Sequence, residues 1–406
     1  MQREFTQFEF TMGLGQESKM KITDVKTFIT MPIENLPWLF VEVHTDEGVT
    51  GLGECSWYGN NTLIEQGIES VKPWLLGQDP AHIEEIWQLI YRRHLRIGGR
   101  GPISAVISGI DIALWDIKGK VLGVPIYQLL GGPVRDHVPI YTHVQDARQG
   151  FTIEDMVIMA RETKSAGHQA IKTDPFLSMA NESGPFRGAS LVEKLTPSAI
   201  NYAAEWVSAL RSEVGNDFEI MVDAHARFDV ASAIAAAREM ESMKLTWFEE
   251  PVPQESYDAL KEFRENSNVA ISVGESLFTR YDFVPVLQNR LADFVMPDIA
   301  WTGGISELRR IASLAESYYV PFTPHDALGP VAIASTFQVC MSTPNLYRQE
   351  CIHEWFDSFS KIVTHTMDYR NGSFWPSSRP GIGTELLHEE VERYAVPSSH
   401  GRHSSY

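Results

Sequence analysis

The 406-residue sequence has few cysteines, no Lys/Arg runs and no long apolar segments. Its three cysteines, Cys55, Cys340 and Cys351, match neither a disulfide framework nor the spacing of a zinc site, which is typical of a reducing compartment. No apolar run approaches the roughly 20 residues of a membrane span, and the N-terminus lacks the basic and apolar segments of a signal peptide. We therefore expect a cytoplasmic protein with no membrane partner.

Positive charge is also scarce. The chain has 34 Lys and Arg against 53 Asp and Glu, a formal net charge of −19. Without a compensating basic patch, this charge repels the phosphates of nucleic acids and of anionic membranes. Apolar residues make up 43% of the chain, enough to bury a large core in two structural units. These numbers predict a globular protein whose partner is a small molecule rather than a nucleic acid.

The N-terminal part of the chain has a strands-first, helices-after pattern. Residues 1–19 are polar and aperiodic, and we expect a disordered extension there. Alternating runs begin at Met20 and include a TDEG turn, which predicts a strand followed by a hairpin. Helical patterns follow over residues 62–122. Residues 20–138 are therefore predicted to form an α+β unit.

The pattern changes at Pro139. Helix-forming segments mostly separate eight short β-rich runs, which are PIYTHV, QAIKTD, EIMVDA, LTWFEEP, AISVGES, DFVMPDI, VPFTPHD and LYRQE. This regularity predicts an α/β fold with a closed parallel barrel over residues 139–370, and such barrels carry their chemistry at the C-terminal strand ends. Residues 371–406 then form a C-terminal segment with a frayed polar tail.

Three acids follow short apolar runs at equal intervals of 26 residues: Asp223, Glu249 and Glu275. One strand, one helix and their loops take about this length, so successive parallel strands deliver the three carboxylates to the same end of the barrel. Any one of them alone is explained as a helix cap or a water ligand. Together they crowd negative charge unless a cation neutralises it. Because all the ligands are oxygens, we expect a hard divalent cation, Mg²⁺.

Two histidines and two further acids end strands around the same cavity. His225 follows Asp223 by two residues, so an extended strand places both on one face; alone, His225 is as well explained by packing or a hydrogen bond. His325 and Asp298 end successive predicted strands, where they form either a general-base pair or a structural salt bridge. Glu350 ends the last strand, as a proton donor or acceptor at an enolate oxygen or as an ordinary surface acid.

Lys172 and Asp174 end the second predicted barrel strand. Lys172 is predicted to bind a substrate carboxylate as a point charge, and Asp174 points into the same cavity. Two Gly-containing segments of the first unit, WYGNN at residues 57–61 and GGR at residues 98–100, are either loops over the barrel mouth or plain turns.

Together, these residues resemble the enolase superfamily, in the branch of mandelate racemase and the sugar-acid dehydratases. The resemblance runs from Met20 to PGIGTELL and includes SGIDIALWDIKGK, GVPIYQLLGG, FEEP, MPD and HDALGP in this order. It implies a modified (β/α)7β TIM-type barrel over residues 139–370 and a capping domain over residues 20–138, to which the C-terminal segment returns. It also implies a homo-oligomer.

The resemblance further implies a role for each candidate residue. The implied Mg²⁺ ligands are Asp223, Glu249 and Glu275. The implied catalytic residues are His325 paired with Asp298 as the base, His225 as the general acid, and Glu350 as an aid to the enolate. This set is most similar to galactonate dehydratase and related aldonate dehydratases. It implies that an aldonate such as galactonate or gluconate loses its C2 proton to give a Mg²⁺-stabilised enediolate, which then loses the 3-hydroxyl to yield a 2-keto-3-deoxy acid.

Asp174 bears on the choice between related reactions. The racemase pattern has a second lysine at this position, because a racemase needs a base on each face of the α-carbon, and an aspartate of ordinary pKa is a poor base. Dehydration is therefore favoured. The galactonate dehydratase pattern has an amide there, so the identity of the sugar is left open. The alternatives are a sugar-acid cycloisomerase or epimerase of the same superfamily, and a non-catalytic sugar-acid binding protein or assembly subunit, against which the complete set of acids and histidines argues.

Overall fold

The computed structural model describes residues 20–57, 60–96, 99–144, 151–176 and 194–396. The expected N-terminal extension and frayed C-terminal tail, and part of each Gly-containing segment of the first unit, lie outside the described residues. Within the described chain, no helix is both long and apolar enough to cross a membrane.

The strands of the described chain form two sheets. They are β1 (Ile22–Ile33), β2 (Leu36–Thr45), β3 (Thr50–Glu54), β4 (Val138–His143), β5 (Ala170–Thr173), β6 (Glu219–Asp223), β7 (Trp247–Glu249), β8 (Ile271–Val273), β9 (Phe294–Val295), β10 (Gln349–Glu350), β11 (Asp368–Arg370) and β12 (Ser373–Trp375).

Helices cover both sheets. They are α1 (Asn61–Leu75), α2 (Ile83–His94), α3 (Pro102–Leu122), α4 (Ile126–Leu129), α5 (Ile153–Ser165), α6 (Pro197–Val214), α7 (Val230–Met240), α8 (Tyr257–Asn266), α9 (Arg280–Gln288), α10 (Ile299–Thr302), α11 (Gly304–Ser317), α12 (Pro330–Ser342), α13 (Phe356–Ile362) and α14 (His388–Arg393). Short 3-10 turns lie at Glu241–Met243 and His353–Trp355.

In the N-terminal unit, β1, β2 and β3 form an antiparallel sheet on which α3 packs closely. The approach is close because β3 presents two glycines to the helix. A Cβ atom at Gly51 would lie 2.0 Å from the carbonyl oxygen of Ala113, and one at Gly53 would lie 2.0 Å from that of Gly109. Any larger side chain there would push the sheet away from α3, so these glycines set the thickness of the unit.

The second sheet is a closed parallel barrel to which one antiparallel hairpin is added. Strands β4 to β9 pair in sequence order, and β10 closes the ring by pairing in parallel with β4. The α/β barrel predicted from the sequence is therefore confirmed, with the antiparallel β1–β3 sheet of the first unit beside it. The hairpin β11–β12 joins the outer side of the ring through β12, which pairs antiparallel with β4.

One of the eight predicted barrel strands is not continuous. In VPFTPHD, the pairing consists of isolated bridges, from Phe322 to Val295 and Leu346 and from His325 to Asp298. Pro321 and Pro324 lie on either side of Phe322 and have no N–H to donate, so a regular ladder cannot extend from it. The prediction of a full seventh strand was wrong in this respect, although the segment occupies the seventh place in the ring.

A buried carboxylate joins the N-terminal unit to the barrel. Glu54, the last residue of β3, accepts hydrogen bonds from the backbone N–H groups of Gly329, Val331 and Ala332 at the start of α12. Burial raises the pKa of Glu54 to about 7, although these bonds act in the opposite direction. An acceptor at a helix N-terminus satisfies donors that have no partner within the helix. The contact fixes the end of β3 against the start of α12.

The hairpin β11–β12 covers a buried histidine, for which we predict an effect of pH on stability. His168 is 4% exposed, and its Nε2 lies 2.7 Å from the Tyr369 hydroxyl. Burial, with smaller effects of His353 and Arg348, lowers the pKa of His168 from 6.5 to about 4. Between these values the unfolded chain binds a proton that the folded chain does not, so stability falls as pH falls. The loss from this group is about 3 kcal/mol.

Urea unfolding of the wild type and of His168→Gln at pH 7 and pH 4.5 measures this loss of stability. We expect the variant to lose less stability on acidification than the wild type, since its side chain does not titrate. The matched control is His82→Gln, which alters an exposed histidine and should leave the wild-type pH dependence unchanged. Equal losses in wild type and His168→Gln would contradict the assignment.

Candidate active site

The barrel interior is built in layers that follow from the two-residue period of its strands. A lower apolar layer consists of Tyr141, Ala170, Met221, Trp247 and Met296. Residues two positions further along face the same interior, one layer nearer the C-terminal ends. These residues are His143, Lys172, Asp223, Glu249 and Asp298. An apolar floor thus lies beneath a layer of ionisable side chains.

The three acids spaced by 26 residues come together here, Asp223 and Glu249 from this layer and Glu275 from just beyond the end of β8. One carboxylate oxygen from each of Asp223, Glu249 and Glu275 lies within 4.8 Å of the others. The ammonium of Lys172 is 2.5 Å from Glu249 Oε1 and 3.1 Å from Asp223 Oδ2. Burial, and then the charge of Asp223, raises the pKa of Glu249 well above its usual range. A cation bound beside these carboxylates would favour the ionised form of Glu249.

The donor set fits a hard divalent cation. All three candidate ligands are carboxylates, and buried Asp223 Oδ2 makes no hydrogen bond with the described residues, since its 3.1 Å contact with the Lys172 ammonium is an ion pair only. Mg²⁺ prefers oxygen ligands and is commonly held by few carboxylates, with water or substrate completing its shell. Asp223, Glu249 and Glu275 are thus the residues that would hold it.

His325 and Asp298 form the pair predicted from their positions. His325 Nδ1 lies 2.6 Å from Asp298 Oδ2, so this nitrogen donates, and Nε2 lies 3.2 Å from Glu275 Oε2, on the side of the three acids. Asp298 Oδ1 accepts the Ala300 N–H at 2.7 Å, which fixes the carboxylate at the start of α10. Burial opposes protonation of His325, but the charges of Glu350 and Glu275 and the bond to Asp298 raise its pKa to about 10. A cation bound at the three acids would offset this effect.

The backbone conformation at His225 differs from the extended strand that the sequence predicted. The strand β6 ends at Asp223, and His225 has a φ of +48°, so the chain is not extended there as the sequence suggested. The left-handed conformation lets the His225 N–H donate to Asp223 Oδ1 at 2.8 Å. His225 Nδ1 lies 2.9 Å from Asp174 Oδ2. Burial opposes protonation, but the charges of Asp223 and Asp174 raise the pKa of His225.

Asp174 was expected to point into the substrate cavity, but its carboxylate is engaged by protein groups. Oδ1 accepts the Phe176 N–H at 2.9 Å, and Oδ2 contacts both His225 and the Arg227 guanidinium. Burial raises the pKa of Asp174, but the charge of Arg227 and the bond from His225 outweigh burial and lower it. Arg227 was not identified from the sequence, because the strand period ends at Asp223 and gives no direction for a side chain beyond it.

Glu350 is surrounded by hydrogen-bond donors. Oε1 lies 2.6 Å from both His143 Nε2 and Lys172 Nζ, and Oε2 accepts the Asp326 N–H at 2.8 Å. Burial alone would raise the pKa of Glu350, but the charges of Lys172 and His325 and the bond from His143 lower it well below its usual range. This geometry suits a carboxylate that accepts hydrogen bonds, not one that donates a proton.

Lys172 therefore lies between Glu350 and the acid cluster. His143, which completes the group, was missed in the sequence. A signal was present, because His143 ends the first barrel strand two residues after the inward-facing Tyr141 and pairs in register with Lys172. The strand-end criterion that identified the other candidates applies to it equally.

Sequence comparisons agree with this architecture. Residues 19–131 match the mandelate racemase/muconate lactonizing enzyme N-terminal domain, and residues 155–391 match the enolase C-terminal domain-like family. A D-galactonate dehydratase of Pectobacterium atrosepticum is 34% identical over 380 residues, covering 92% of this chain and 94% of the relative. A D-xylonate dehydratase of Haloferax volcanii is 33% identical over 395 residues, covering 96% and 92%. Both relatives are named as dehydratases, which are hydro-lyases.

Solved structures give the same result. A mandelate racemase/muconate lactonizing enzyme-like protein of Rubrobacter xylanophilus superposes with a TM-score of 0.84 and 33% identity, over 93% of this chain and 98% of that one. The 3,6-anhydro-D-galactonate cycloisomerase of Zobellia galactanivorans superposes with a TM-score of 0.81 and 29% identity, over 93% and 100%. The chain belongs to the enolase superfamily, in its mandelate racemase-like branch and near the galactonate dehydratases.

Proposed function

We propose that this protein is a Mg²⁺-dependent dehydratase that converts an aldonate, such as galactonate or gluconate, into a 2-keto-3-deoxy acid. One observation carries the proposal: two histidines, each paired through Nδ1 with a carboxylate, end the third and seventh segments of an eight-membered ring. They therefore approach the three acids from opposite sides of the ring, with His225 beside Asp223 and His325 beside Glu275. Dehydration needs a base at C2 and an acid at the departing 3-hydroxyl, and this arrangement provides one group for each.

The cation supplies charge stabilisation. Mg²⁺ held by Asp223, Glu249 and Glu275 would stabilise the negative charge that develops on the substrate carboxylate when C2 loses its proton. Lys172 places a further positive charge in the same layer. Because its ammonium already contacts Asp223, Glu249 and Glu350, we assign it to balancing these acids rather than to the direct substrate contact expected from the sequence. A histidine base combined with Mg²⁺ is a general arrangement of enolase-superfamily sites.

The base side consists of His325 and Asp298. His325 Nε2 removes the C2 proton, and the ring becomes an imidazolium. Asp298 stabilises that charge through the 2.6 Å contact at Nδ1 and keeps the ring in one orientation. The Ala300 N–H in turn holds Asp298, so the pair is positioned before the substrate binds.

The acid side consists of His225 and Asp174. His225, protonated, gives its proton to the 3-hydroxyl as the C3–O bond breaks, so that one water leaves. The resulting enol tautomerises to the 2-keto-3-deoxy acid. Asp174 favours the protonated form of His225 through the 2.9 Å contact at Nδ1, and Arg227 keeps Asp174 ionised. Glu350 positions Lys172 through their 2.6 Å ion pair.

The test is a screen of a stereochemically complete aldonate library with Mg²⁺. Semicarbazone absorbance detects 2-keto-3-deoxy products, and mass spectrometry confirms the loss of one water. A product of unchanged mass would instead support a cycloisomerase or an epimerase. The cycloisomerase is the second candidate function, because the chain superposes on a cycloisomerase. Binding without any reaction would support a non-catalytic sugar-acid binding protein.

The cytoplasmic location and the homo-oligomeric state expected from the sequence stay predictions.

Replacing His225 with asparagine separates the two half-reactions. We expect dehydration to fall by about 10² to 10³, since the leaving hydroxyl loses its proton donor, while exchange of the C2 proton with solvent continues. Deuterium incorporation into recovered substrate, measured by NMR in D₂O, reports the exchange.

His225 lies next to Asp223, so Mg²⁺ affinity of the His225 variant has to be measured as well. An unchanged affinity shows that the candidate cation site is intact. Loss of C2 exchange together with dehydration, at unchanged Mg²⁺ affinity, would rule out a role for His225 limited to the departing hydroxyl.

A further inference from the structure

His143 is a polar residue of the active-site layer to which the proposed mechanism gives no role. It ends β4, pairs in register with Lys172, and is 8% exposed. Its Nε2 lies 2.6 Å from Glu350 Oε1. Since Tyr141 faces the barrel interior two residues earlier, His143 faces the same interior at the C-terminal end, where the substrate would bind.

The partners of His143 determine its tautomer. Glu350 is an ionised acceptor, so the His143 nitrogen that contacts it carries the hydrogen. Burial lowers the pKa of His143, although the bond to Glu350 acts in the opposite direction. The ring is therefore neutral, with its hydrogen on Nε2 and a lone pair on Nδ1.

Nδ1 is the ring atom left for a ligand. It has no hydrogen-bond partner in the described chain, and it is not fully buried, so a ligand can reach it. Its two charged neighbours among the described residues are already engaged, since the Lys172 ammonium forms ion pairs with three carboxylates and both oxygens of Glu350 accept hydrogen bonds. A lone pair at this position attracts a hydrogen-bond donor and repels a carboxylate.

We propose that His143 contacts the substrate and accepts a hydrogen bond at Nδ1 from a hydroxyl group of the sugar-acid chain. This inference rests on the proposed function and adds a specificity residue to it. His143 selects substrates with a hydroxyl at the carbon facing it, and the same ring holds Glu350 through Nε2. The two nitrogens thus have separable roles.

Two substitutions separate these roles. In His143→Gln, the side-chain amide nitrogen takes the place of Nε2 and keeps the donor to Glu350, while the acceptor at Nδ1 is lost. In His143→Asn, the shorter side chain keeps an acceptor near the Nδ1 position and loses the bond to Glu350. The kinetic probes are D-galactonate, D-gluconate and D-xylonate with Mg²⁺, together with versions deoxygenated in turn at C4 and C5.

For the probe turned over best, we expect His143→Gln to raise KM about tenfold and to change kcat by less than about twofold. His143→Asn should show the reverse pattern, a lower kcat at a nearly unchanged KM. One deoxy probe should show the same tenfold rise in KM with the wild type and no further rise with His143→Gln, because both changes remove one hydrogen bond.

An unchanged KM in a folded His143→Gln variant, with an active wild type, would overturn this inference and leave the dehydratase assignment standing. A wild type that neither turns over nor binds any probe would overturn both. If His143→Gln does not fold, NMR of wild-type protein labelled with [¹⁵N]histidine gives the answer. The Nδ1 resonance of His143 should move when the probe is added, and an unmoved resonance at saturation would overturn the inference.

Discussion

Replacing His325 with asparagine is expected to abolish turnover and C2 proton exchange together. Nε2 of His325 is the atom assigned to remove the C2 proton, and asparagine has no basic nitrogen to replace it. We expect both rates to fall by about 10⁴ or more, since the proton-transfer step precedes both outcomes. Product formation and deuterium incorporation at C2, measured in the same D₂O reaction, test both rates at once.

The matched control for this prediction is His365→Asn, which changes an exposed histidine outside the site and should leave both rates at wild-type values. Asp298→Asn should have rates between those of His325→Asn and His365→Asn, because it keeps a side chain at the start of α10 but loses the charge that stabilises the imidazolium. Deuterium entering C2 at an undiminished rate in the His325 variant would show that another group is the base.

Removal of the cation is expected to have an effect of similar size. Three carboxylates lie within 4.8 Å of one another, with Lys172 as their nearest ammonium group. After chelation with EDTA we expect no measurable turnover, and added Mg²⁺ should restore it. Mg²⁺ should also stabilise the fold, by about 2.7 kcal/mol at a concentration one hundred times its dissociation constant. Thermal unfolding with and without Mg²⁺ measures this second effect without any substrate.

The variant Glu249→Gln links both effects to the three acids. It removes one charged ligand, so we expect Mg²⁺ to bind more weakly and the Mg²⁺-dependent rise in unfolding temperature to be lost at the same concentration. Its control is Glu239→Gln, an exposed acid on α7 that should leave Mg²⁺ binding unchanged. Full activity in EDTA, or an unaltered Mg²⁺ effect in Glu249→Gln, would show that the three acids are not the functional cation site.

The sequence by itself determined the barrel and the place where its polar residues converge. Asp223, Glu249 and Glu275 each follow a short apolar run at one repeat length, and this repeat places all three at the same end of the barrel, Asp223 and Glu249 in register and Glu275 just beyond the end of β8. The same rule predicted the contact of His325 with Asp298, since they end neighbouring segments. Applied to the first barrel strand, it would also have found His143.

Apart from the His325–Asp298 pair, only the tertiary structure decided how these side chains pair. His143 and Glu350 are 207 positions apart and meet because β10 closes the ring against β4. His225 takes its orientation from a left-handed turn beyond the strand end, where the two-residue period no longer applies, and there Asp174 contacts Arg227 as well. Periodicity describes the direction of a side chain along one strand. Which groups share a hydrogen bond depends on ring closure and on loop conformation, and no local pattern encodes these.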